Sequence, residues 1–97
     1  MKKKKSNVNR INTLIKMLAS QSDEKKLAIV LADLCSPAEL EAMADRLFVL
    51  PMIADGLSYK RIHDKSGVSI TTIGRVARHL RVGHGGYAEL LNNTTTE

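Results

Sequence analysis

The amino-acid sequence predicts an all-α protein carrying a helix-turn-helix, and three observations lead there. Apolar residues recur at three- and four-residue steps, as in Val8, Ile11, Leu14, Ile15 and Leu18, and no strand-like alternation occurs. Serine, aspartate and proline stand at the starts of these stretches and glycine just past several of their ends, the punctuation of capped helices. Charge is uneven: residues 58–81 hold six cations (Lys60, Arg61, Lys65, Arg75, Arg78 and Arg81) against Asp64 alone, whereas residues 1–57 hold nine Lys/Arg and seven Asp/Glu. A basic block of that kind neutralises phosphates.

The elements follow in order. Residues 1–6 are expected to form a disordered basic tail, and residues 7–91 a single helical domain. A first helix starts at Asn7 and has one apolar face. Ser22 or Asp23 caps a second, with Leu27, Ile29, Val30, Leu31 and Leu34 as its apolar residues, ending near Cys35. Ser36-Pro37-Ala38-Glu39 opens a third: Ser36 caps, Pro37 occupies the first helical position, where no N–H is needed, and Glu39 completes a capping box. This helix runs to about Asp55 and stops at Gly56. Its late half, Leu47 to Ala54, is apolar all round and needs more cover than a short chain supplies, so a partner chain is expected. Pro51 removes one backbone bond, and either kinks or splits the helix.

Ser58 caps a fourth helix over Tyr59–Lys65, and Ser69 a fifth running to about Leu80. A short sixth is expected over Tyr87–Leu91, with Asn92 to Glu97 frayed.

The fourth and fifth helices carry the function. Gly67 supplies the positive φ of a tight turn. Ile62, Val68, Ile73 and Val76 fall where two helices must meet at the corner. Ser69, Ile70, Thr71 and Thr72 start the fifth helix with side chains small enough to enter a major groove. Thr and Ile methyls suit thymine methyls, and Arg75 suits guanine or phosphate. Lys60, Arg61, Arg78 and Arg81 are expected to position the protein on phosphates. Gly74, inside a helix at a cost of about 1 kcal/mol, is expected to allow close approach of the DNA backbone.

These stretches resemble a known family. Ser36-Pro37-Ala38-Glu39, Arg46-Leu47, Gly56-Leu57-Ser58-Tyr59 and Gly67 through Val76 look like the Trp repressor family, and Gly83-His84-Gly85-Gly86-Tyr87 looks like its shorter YerC/YecD-like branch. The resemblance covers about residues 8–91. It implies an intertwined homodimer and a transcriptional regulator, more a repressor than an activator, that binds a two-fold symmetric operator. It places Lys60, His63, Ser69, Ile70, Thr71, Thr72 and Gly74 facing DNA. It places Ser36, Arg46, Arg75, Val76 and His79 around an effector pocket. Val76 and His79 stand where the family's repressor has glycine and serine, and their bulk argues against tryptophan as co-repressor. His63 stands where most helix-turn-helix units have a small residue that lets the helices touch.

Other chemistry finds little support. His63, His79 and His84 have no cysteine or carboxylate partners at ligand spacing, so no metal is expected. No nucleophile has a base beside it in sequence, so no enzyme is expected. Phe48, Tyr59 and Tyr87 are too scattered for a base-stacking platform. A single cysteine, no apolar run near the roughly 20 residues of a membrane span, and Ser6-Asn7-Val8-Asn9-Arg10 in place of an apolar signal core point to the cytoplasm. Two rival readings are a helical adaptor for an acidic protein and a non-specific RNA-associated protein.

Overall fold

The structure, a computed structural model, describes residues 8–95. The expected basic tail at residues 1–6 lies outside the described residues. Those described form six helices, α1 (Val8–Ala19), α2 (Glu24–Leu34), α3 (Pro37–Ala54), α4 (Tyr59–Ser66), α5 (Ile70–Val82) and α6 (Gly86–Thr95), and no strand. None of the helices is long and apolar enough to cross a membrane. The chain divides into two units between Pro37 and Ala38.

The first unit holds α1 and α2. Asp23, not Ser22, caps α2: its carboxylate accepts the N–H of Lys25 at 2.9 Å. The helix ends as its cap residue, Cys35, donates its N–H to the carbonyl of Leu31 at 2.9 Å. Neither helix has a buried residue. Ile15 is 57% exposed and Ile29 65%, so the apolar faces that the spacing predicts are largely open to solvent in the single chain.

The second unit contains the core. Val49 and Leu50 of α3, Ile62 of α4, Val68 of the turn, and Ile73 and Val76 of α5 are its buried residues. Leu57, Leu80, Tyr87 and Leu91 pack around them. The four corner residues expected from helical steps are thus all in the core. Fully burying an aliphatic side chain of this size contributes about 1.5–3 kcal/mol, so the α4–α5 corner is the firmest part of the unit.

Pro51 does not split α3, which passes through it unbroken. Its missing amide donates no bond to the carbonyl of Leu47, but its own carbonyl accepts the N–H of Asp55 at 2.9 Å. Only Val49 and Leu50 of the apolar late half are buried, and Phe48 is 58% exposed. Gly56, at φ 84°, ends the helix: its N–H reaches the carbonyl of Ile53 at 3.0 Å and that of Leu57 reaches Met52 at 3.2 Å. That pair of bonds is the Schellman arrangement, which a left-handed residue makes possible. At the other end α6 begins at Gly86 and reaches Thr95, four residues beyond the expected end at Leu91. Asn92 to Thr95, expected to fray, are therefore helical, while residues 96 and 97 lie outside the described residues.

Candidate nucleic-acid interface

The interface candidate is built on α4, the turn Gly67-Val68-Ser69 and α5. Ser58 caps α4 by accepting the N–H of Arg61 at 3.2 Å. Gly67, at φ 76°, ends it and donates its N–H to the carbonyl of His63 at 2.8 Å. Side chains of α4 then hold the turn. Ser66 Oγ donates to the carbonyl of Ile62 at 2.7 Å and accepts the N–H of Val68 at 3.1 Å. His63 Nδ1 lies 2.8 Å from the carbonyl oxygen of Val68. His63 stands where most helix-turn-helix units have a small residue, and this arrangement accommodates it. The ring does not wedge between the helices; it is exposed and spans the turn, while its neighbour Ile62 fills the corner.

Ser69 caps α5, its Oγ accepting the N–H of Thr72 at 3.1 Å and donating to Thr72 Oγ1 at 3.0 Å. Ile73, Val76 and Ala77 are buried. Residues four and seven apart share a helix face, so Thr71, Arg75 and Arg78 form a stripe on the side turned from this core, and all three are exposed. Ile70 is exposed at the head of the helix. Lys60 and Arg61 are exposed on α4, where Lys60 Nζ pairs with Asp64 at 3.1 Å. Both partners are open to water, so the pair adds little stability. It does offset one positive charge of the basic block.

Gly74 has no internal reason to be glycine. A Cβ there would meet only Tyr59 Cε2, at 3.9 Å, an ordinary contact, and its φ is not positive.

A cavity of about 680 Å³ lies along another side of α5. Four of the five residues proposed for an effector pocket, Arg46, Arg75, Val76 and His79, line it. His79 Nδ1 lies 3.0 Å from the carbonyl oxygen of Arg75, so this ring folds back along its own helix. Thr72 also lines the cavity, and Arg75 belongs both to it and to the outward stripe. Sequence reasoning misses Asp45, His84 and Tyr87, which also line it. Asp45 adjoins Arg46, and the other two lie in the glycine-rich segment that carries the resemblance to the family's shorter branch. Among the described residues no group of His, Cys, Asp and Glu is placed to hold a metal ion.

A family model described as Trp repressor protein matches residues 9–95. The uncharacterized protein YerC of Bacillus subtilis (strain 168) is 32% identical over 82 residues, spanning 84% of this chain and 79% of the relative.

Proposed function

This chain belongs to the Trp repressor family, and on that premise we propose that it is a sequence-specific DNA-binding transcriptional regulator, a repressor acting as a homodimer on a two-fold symmetric operator. The family is one of DNA-binding regulators and not of enzymes. The observation that carries the reading is the outward stripe Thr71, Arg75 and Arg78 beside exposed Ile70, on a helix whose opposite side is locked into the core by Ile73 and Val76. In this reading α4 and α5 are a helix-turn-helix, and α5 is the helix that enters the major groove.

The residues divide by task. Ile70, Thr71 and Arg75 meet base edges, where methyl groups and a guanidinium distinguish base pairs. Lys60, Arg61, His63 and Arg78 meet phosphates and set the register. Ser69 and Thr72 are occupied with each other at the cap, and they orient the helix start. Gly74 leaves room for the DNA backbone.

Homodimer formation is favoured by the uncovered apolar faces. The α1 and α2 helices have no buried residue, and Phe48 of α3 is exposed. Surface of that kind is costly to leave in water, and a second copy of the chain covers it symmetrically.

The cavity lined by Arg46, Arg75, Val76 and His79 is the candidate effector site. Tryptophan is not its proposed ligand, because Val76 and His79, which line the cavity, are bulkier than the glycine and serine that the resemblance gives for the family's repressor.

Selection of random duplex DNA against the purified protein, followed by a salt titration on the winners, tests the reading. The expected result is a two-fold symmetric site whose affinity falls steeply with salt, as release of counterions from phosphates requires. Weak binding that ignores sequence would contradict it and favour an RNA-associated role. No binding to any duplex would favour a protein adaptor.

A further inference from the structure

We propose that His63 is a proton-linked phosphate contact: its Nδ1 is anchored on the turn, and its Nε2 donates to DNA only when the ring is an imidazolium. The proposal rests on the reading of α4 and α5 as the DNA-binding unit.

The anchor is the bond between His63 Nδ1 and the Val68 carbonyl oxygen at 2.8 Å. A carbonyl oxygen only accepts, so Nδ1 carries the hydrogen. Its acceptor is a fixed point. Val68 is a core residue, and its N–H is held by Ser66 Oγ at 3.1 Å. The backbone carbonyl of His63 in turn receives Gly67 N–H at 2.8 Å, so this residue grips the turn twice. Nε2 has no hydrogen-bond partner among the described residues, and the residue is exposed just ahead of the α5 cap.

With Nδ1 protonated, the neutral ring leaves a bare lone pair on Nε2. A phosphate oxygen is repelled by that lone pair. Adding a proton turns the same atom into a charge-assisted donor. The Nδ1–H bond is common to both states, so titration changes the outward atom without loosening the turn. Charged neighbours on α4 are Lys60, Arg61, Asp64 and Lys65, with Lys60 and Asp64 paired at 3.1 Å. The turn and the first turn of α5, from Gly67 to Ile73, contribute no charge. A phosphate is therefore the partner that favours the imidazolium.

The sign follows from linkage. A phosphate contact raises the pKa of this ring in the complex. The added affinity is complete below the pKa of the free protein and is lost as pH rises through the pKa of the complex.

The experiment measures affinity for a selected duplex from about pH 6 to about pH 8 at constant salt, the range in which histidine switches. Wild-type affinity should fall with rising pH, by up to about one decade per pH unit for each bound subunit. His63→Gln does not titrate, and its affinity should lose the fall with rising pH that the wild type shows. An NMR titration of the His63 ring in the wild-type protein, with and without duplex, gives a check that needs no folded variant: the duplex should raise the pKa. Specific binding with an unchanged slope in His63→Gln, or a ring pKa that the duplex does not raise, overturns the proposal and leaves the DNA reading standing. Absence of sequence-specific binding at every pH overturns both.

Discussion

The hydroxyl of Ser69 holds Thr72 twice, accepting its backbone N–H at 3.1 Å and donating to its Oγ1 at 3.0 Å. Neighbouring Thr71 has no such tie and is exposed. Two threonines adjacent in sequence thus have different work. Thr72 shapes the start of α5 and lines the cavity, and Thr71 is free to meet a ligand.

Ile73 has no accessible surface, and it sits in the α4–α5 corner with Ile62 and Val76. Ile73→Ala should cost about 2–5 kcal/mol, the range for deleting a buried aliphatic side chain. Denaturant unfolding measures it. A loss well under 1 kcal/mol would mean that the corner is not the main source of stability.

Gly74→Ala should separate stability from binding. A methyl group there meets only Tyr59 Cε2 at 3.9 Å. Removing a helix-interior glycine should raise stability by up to about 1 kcal/mol. The melting temperature should therefore rise while affinity for DNA falls, because the methyl fills the space left for the backbone. Thermal unfolding and a binding titration on one preparation read both. A rise in melting temperature with unchanged affinity would place the DNA backbone elsewhere.

Arg78 is exposed and has no ion pair among the described residues. Its guanidinium is available to phosphate. Arg78→Ala should weaken binding to all duplexes alike, and lower the slope of log affinity against log salt by about 1 per subunit. Loss confined to one base position would make Arg78 a base reader instead.

Much of this was legible in the sequence because it is local. Caps at Ser58 and Ser69 and stops at Gly56 and Gly67 depend on residues a few places apart. The corner residues Ile62, Val68, Ile73 and Val76 follow from helical steps alone. What escaped the sequence is tertiary. Asn92 to Thr95 have weak helix propensity, yet α6 includes them, extending from a turn whose Leu91 packs on the core. The cavity wall brings Asp45 together with His84 and Tyr87, positions far apart in the chain. The bond from His63 to Val68 exists only because Gly67 turns the chain back, and residue type at His63 signals none of it.

The central claim is that the outward stripe of α5 reads DNA sequence, and Thr71→Glu tests it most directly. A carboxylate on an exposed helical position should leave fold and oligomeric state as in the wild type, which circular dichroism and sedimentation verify. On the selected duplex, affinity should then fall to the level of random DNA, through repulsion from phosphates and lost contact with the base edge. Specific binding that survives the substitution would contradict the account, because some other surface would have to be reading the site.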